Sequence, residues 1–205
     1  MKKVFLLMTT FILTSAGYSQ TAKEYFNRGI TKFNVENYTG SIADFTKAIE
    51  IDPKYAEAYL FRGNAKESLK DYRGAIADHT KAIEIDPKYA EAYTGRGYSK
   101  GELKDYNGSI ADYSKAIEII PKNVFAFRDA YSGRGYSKYM LNDYRGSIAD
   151  YSKAIEIDSK YAAAYYFRGI AKIKLGQKDS GCIDFSKAGE LGLTDAYKAI
   201  KTYCQ

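Results

Sequence analysis

A chain of 205 residues with 27% charged and 45% hydrophobic residues has the composition of one folded domain, which excludes disorder throughout. One His and two Cys leave nothing for a Cys/His metal cluster, and no Gly-rich phosphate loop or His-based metal spacing appears. A net charge of +6 raises nucleic acid and anionic membranes as partners without deciding for either.

The first nineteen residues differ from the rest. Lys2 and Lys3 precede the apolar run Val4 to Ala16, and the small residues Ala16, Gly17 and Ser19 close it. That run is too short for a membrane span, which needs about 20 residues, and it has the layout of a secretory signal peptide over 1–19. Cleavage after Ser19 leaves Gln20 first and lowers the charge to +4. The expected location is therefore periplasmic or secreted. No membrane insertion of the mature chain is expected, and no nucleic-acid partner.

From residue 22 onward one unit is written five times. AIEIDPKYAEAY recurs, and Pro53, Pro87 and Pro121 stand 34 residues apart; the matching Ser159 comes 38 further on. The copies are 22–55, 56–89, 90–123, 124–161 with four extra residues, and 162–193, followed by 194–205. In the second copy, apolar spacing predicts one helix from about Ala56 to Leu69 and another from about Tyr72 to Ile85, which Asp86-Pro87 stops. The short break at Lys70-Asp71 makes the two antiparallel neighbours. No copy can bury its apolar stripe alone, so the copies stack into an all-α solenoid. In the fourth copy the extra residues before Tyr131 predict a first helix longer by about one turn. Phe125 and Phe127 would then project near the junction with copy 3, packing it or touching a partner.

These columns resemble the tetratricopeptide repeat (TPR) family. The aromatic column Tyr25, Tyr59, Tyr93, Tyr131, Tyr165 is followed four residues later by Gly29, Gly63, Gly97, Gly135, Gly169. The second helix carries small residues (Ser41, Ala75, Ser109, Ser147, Gly181), then Phe45, His79, Tyr113, Tyr151, Phe185, then Ala48, Ala82, Ala116, Ala154, Ala188. Tyr stands for the family's Trp, Arg precedes the Gly where Leu is usual, and Lys occupies the next aromatic slot. The resemblance implies a right-handed α-α superhelix of five repeats, closed by a capping helix over 194–205. It also implies a concave groove, lined by the first helices, that binds peptides or partner proteins.

Arg28, Arg62, Arg96, Arg134 and Arg168 are matched by Asp44, Asp78, Asp112, Asp150 and Asp184, which predicts structural pairing on the partner helix or a neighbouring copy rather than a phosphate-binding ladder. Lys47, Lys81, Lys115, Lys153 and Lys187 each precede a Glu by three residues, a self-neutralised solvated face. His79 sits in an aromatic slot as a core filler, and no second His exists for a triad. No catalytic residue, cofactor or metal ligand is assigned.

The groove columns imply partner contacts at Glu91, Asp129, Tyr98, Tyr136, Tyr139, Tyr166 and Phe167. Glu57, Glu91 and Asp129 stand where carboxylate-clamp members carry cationic or amide residues, which argues against an acidic C-terminal peptide. Gly95 and Gly133 would leave a recess with an aromatic floor; each mid-helix Gly costs about 1 kcal/mol against Ala, so the recess is functional or the glycines are drift. The expected function is a non-enzymatic exported scaffold binding a peptide or protein in the groove. The alternative is a structural subunit of an envelope or secretion assembly that makes contacts through its ends or convex face. At the C-terminus, Thr194 would cap a final helix over Asp195–Tyr203 and Gly192 would end the one before. Cys182 and Cys204 have their midpoint at 193, inside that turn, so they either form a disulfide or remain two free thiols.

Overall fold

The protein is described by a computed structural model over residues 20–119 and 124–205. The expected export signal at 1–19 lies outside these residues, as does the side chain of Phe125. The described residues form α1 (Ala22–Asn34), α2 (Tyr38–Ile51), α3 (Ala56–Ser68), α4 (Tyr72–Ile85), α5 (Ala90–Glu102), α6 (Tyr106–Ile119), α7 (Val124–Met140), α8 (Tyr144–Ile157), α9 (Ala162–Lys174), α10 (Lys178–Glu190) and α11 (Asp195–Tyr203). Odd-numbered helices pack on the even-numbered helix that follows and on the one before, a solenoid of helix pairs.

Side chains at the ends of the helices set this frame. Asn37, Asp71, Asp105 and Asp143 each accept from the backbone N–H three residues on, at 2.9–3.0 Å, and so start α2, α4, α6 and α8. Asp52, Asp86 and Asp158 accept from the N–H two residues on at 2.9–3.0 Å, which turns the chain into the next pair. This turn survives at Asp158, where Ser159 replaces proline. The break inside each pair needs a left-handed residue: Glu36, Lys70, Lys104 and Asn142 have φ of 60–65°, and only the last pair uses glycine, Gly176 at 75°.

The core is built from small residues. Ala48 meets Ala58, Ala82 meets Ala92, Ala116 meets Ala130 and Ala154 meets Ala164, all at 0% exposure. Small-on-small contact lets successive pairs approach closely. The insertion leaves this register intact: α7 has 17 residues against 13 in α1, α3, α5 and α9. The added turn lies at its N-terminal end, where Phe127 sets its ring edge-on to Tyr131 at 5.1 Å.

At the C-terminus, Gly192 (φ 94°) ends α10, and Leu193 N–H donates to the Ala188 carbonyl at 3.0 Å. Thr194 does not act as a side-chain cap: it is already helical (φ −61°, ψ −33°) because the turn at Gly192 runs straight into α11. Helix α11 buries Ala196 and Ala199 and stacks Tyr203 on Phe185 at 6.1 Å. A disulfide joins Cys182 of α10 to Cys204, with Cα atoms 5.8 Å apart.

Candidate functional site: an aromatic, acidic groove

The complete ionic columns are internal struts. Each Arg grips the Asp sixteen residues on through two nitrogens, as Arg96 does with Asp112 at 2.9 and 2.7 Å. A Lys one turn later (Lys32, Lys66, Lys100, Lys138, Lys172) reaches the same carboxylate at 2.7–2.8 Å. The Asp side chains are only 4–6% exposed. Four of the Arg also donate back to the preceding even-numbered helix, at Thr46, Thr80, Ser114 and Ser152. Every Arg lies over the Tyr three residues earlier. The hydrogen bond from Arg28 holds the Asp44 carboxyl below its usual value. The Lys–Glu pairs of the even-numbered helices lie at 2.6–3.0 Å with half-exposed side chains.

Within this frame lies a groove of about 760 Å³ across α3, α5 and α7. Phe61 and Phe167 explain its limits. At the N-terminal end Phe61 closes onto Phe26, Phe33 and Phe45 with ring centroids 5.6–6.4 Å apart. At the other end Phe167 stacks on Tyr151 at 5.8 Å. In the two copies between, the same column holds Gly95 and Gly133. These glycines do not simply leave empty space: a Cβ on Gly95 would fall 2.7 Å from the His79 ring, and one on Gly133 would fall 2.3 Å from that of Tyr113. The preceding copy's ring leans over each bare helix: Tyr113 becomes groove floor beside Gly133, while His79 stays buried beneath Gly95, so packing against these rings gives both glycines a reason.

Tyr98, Tyr136 and Phe167 line the groove and stay 45%, 39% and 37% exposed. Glu91 and Asp129 line it as the columns implied, joined by Glu67 and Glu102. His79 is fully buried beneath, with Nε2 3.0 Å from Glu67 Oε1 and Nδ1 without a partner; the same oxygen accepts from Ser99 Oγ at 2.6 Å. Negative charge here shows on the phenols. Burial and then the neighbouring Glu102 push Tyr72 up to about 12, and burial followed by Glu102 and Glu67 raises Tyr98. Tyr113 is raised by burial first and then by Glu67. Among the described residues, no cluster of His, Cys, Asp and Glu could hold a metal, and no helix is long and apolar enough to cross a membrane.

Signatures described as tetratricopeptide repeat match residues 22–55, 56–89 and 90–123, and one described as TPR repeat matches 135–176. The chain belongs to the tetratricopeptide repeat family. Solved TPR structures superpose over most of the chain. MamA is 25% identical, with a TM-score of 0.73, covering 82% of this chain and 96% of its own. YrrB, described as a TPR protein with an unusual peptide-binding site, is 19% identical with a TM-score of 0.71 over 88% and 92%. The first TPR of Spaghetti (RPAP3), bound to the HSP90 peptide SRMEEVD, is 25% identical with a TM-score of 0.56 over 60% and 94%. Comparison with curated proteins finds no match. The TPR fold is a protein-interaction scaffold, and TPR repeats are generally non-catalytic.

Within this TPR groove the column reading misplaced two residues. Tyr139 turns aside onto Tyr144 at 5.5 Å, and Tyr166 packs on Phe167 and Phe185, so neither lines the groove. It missed Glu102, legible as the residue one helical turn after Tyr98 on the same face. It also missed the floor made by Tyr113 and Tyr151, which come from the even-numbered helices.

Proposed function

We propose that the mature chain is an exported, non-enzymatic TPR scaffold that holds an extended segment of a partner protein in the groove across α3, α5 and α7. The observation that carries this reading is the set of exposed rings, Tyr98, Tyr136 and Phe167, gathered in one groove of about 760 Å³. Aromatic side chains of this kind anchor recognition because they bury much area for few rotatable bonds. The groove's size falls within the range of ligand sites, about 300–1,000 Å³. YrrB and the first TPR of Spaghetti supply precedent for peptide ligands on this fold. Export is supported by the Lys2-Lys3 and Val4–Ala16 pattern, and by the Cys182–Cys204 disulfide, a bond that persists in oxidising compartments.

The test is a pull-down from the exported fraction with the wild type and with Tyr98→Ala/Tyr136→Ala. A partner lost with the variant supports the groove. The same partner retained moves the contact to the ends or convex face, where Ile183 and Tyr197 are 70% and 60% exposed.

A further inference from the structure

We infer that the segment held in the groove presents an arginine side chain to it; this rests on the groove being the binding surface. Apart from the tyrosines, the ionisable residues in the lining are Glu67, Glu91, Glu102 and Asp129, all acidic. Elsewhere the protein neutralises its carboxylates with care: two cations stand on every column Asp, and one Lys on each Glu of the even-numbered helices. Among the described residues, Asp129 alone of the groove set receives a Lys or Arg, Arg128 at 2.8 Å. The hydrogen-bond partners of Glu67 among the described residues are His79 and Ser99, both at Oε1. Among the described residues Glu91 and Glu102 have no Lys or Arg partner, and Glu102 has instead the Tyr72 hydroxyl. Negative charge that the fold leaves uncancelled therefore faces the exposed rings of Tyr98, Tyr136 and Phe167.

That combination selects a guanidinium. Its planar face stacks on aromatic rings, its fork donates to a carboxylate through two nitrogens, and it sheds water more readily than an ammonium. An acidic segment would meet Glu67, Glu91 and Glu102, three carboxylates of its own sign without a Lys or Arg on them, which disfavours it at encounter and on docking. The chain already uses the same chemistry internally, where Arg128 lies over Tyr161 with its centre 4.5 Å from the ring while gripping Asp158 at 2.8 Å.

The experiment is a fluorescence-anisotropy titration of the purified protein with labelled octapeptides Gly-Leu-Ser-X-Leu-X-Ser-Gly, in which X is Arg, Lys or Glu. The Arg probe is expected to bind at least about tenfold tighter than the Glu probe, and to weaken about tenfold with Glu91→Gln/Glu102→Gln and as salt is raised. These glutamates are exposed and the exchange is isosteric, so circular dichroism should be unchanged. If the Glu probe binds as well as the Arg probe, and is lost with Tyr98→Ala/Tyr136→Ala, the charge inference falls and the groove reading stands. If the Arg probe binds wild type and both variants alike, or no probe binds, both readings fall. Binding of spermine with no binding of the Arg probe overturns a peptide in favour of a small polyamine.

Discussion

Replacing Arg96 with Ala removes the centre of one strut. Its Nε and one terminal nitrogen lie 2.9 and 2.7 Å from the Asp112 carboxylate, the other terminal nitrogen lies 3.2 Å from Thr80, and its plane covers Tyr93. A charge-assisted grip on a buried carboxylate is worth about 1.5–3 kcal/mol. A buried charge stripped of all partners costs about 3–5 kcal/mol, but Lys100 remains 2.8 Å from Asp112, so the loss stops short of that. Arg96→Ala should cost about 2–3 kcal/mol and lower the melting temperature by about 5–10 °C. Lys100→Ala alone should cost about 1 kcal/mol. The double variant should exceed the sum of the two, since only then does Asp112 lose both cations. Urea unfolding followed by circular dichroism measures all three. An Arg96→Ala protein that unfolds at the wild-type midpoint, yet no longer binds its partner, would refute the structural reading of the column. A double variant equal to the sum of the singles would refute the shared-carboxylate argument.

Other substitutions test the packing. Gly101→Ala should stabilise by about 0.5–1 kcal/mol, because the new methyl meets nothing closer than 3.4 Å. Gly133→Ala should instead destabilise by about 1–3 kcal/mol, because its methyl would lie 2.3 Å from the buried Tyr113 ring; equal signs in urea unfolding would contradict the contact. Lys104→Gly should stabilise by about 1 kcal/mol, since Lys104 is held at φ 65°, and Asn142→Gly should give less, because Asn tolerates that region. Cys204→Ser should lower stability by roughly 3 kcal/mol for a 22-residue span and speed amide exchange in 195–203 ahead of the rest. Unchanged exchange there would show that α11 is held by packing alone.

The period made the helix pairs legible, because a 34-residue spacing leaves room for two helices and two breaks and nothing else. The longer α7 could be read the same way; the bounds of α11 are read from Gly192 and from Thr194, although Thr194 makes no side-chain cap. Side-chain direction could not. Tyr139 shares a column with the groove-lining Phe33, Glu67 and Gly101, but its ring follows the cross-helix contact with Tyr144. Two of the departures from the family pattern, Arg before the Gly and Lys at the next aromatic slot, look unrelated in the sequence. In space both converge on one Asp, so an ion triad replaces an apolar contact. A second cation on each carboxylate was invisible to pairing by count, which matched five Arg with five Asp.

The backward reach of the arginines gives the array a direction. Arg62, Arg96, Arg134 and Arg168 each fasten to a hydroxyl of the copy before them, whereas Arg28 reaches Gln20 and is 45% exposed against 16–18% for the others. These latches all point the same way, like overlapping roof tiles. Loosening one copy therefore unhooks the arginine of its successor, while the arginine of its predecessor stays seated. Beyond the last of these latches, the Cys182–Cys204 bond closes the C-terminal end covalently.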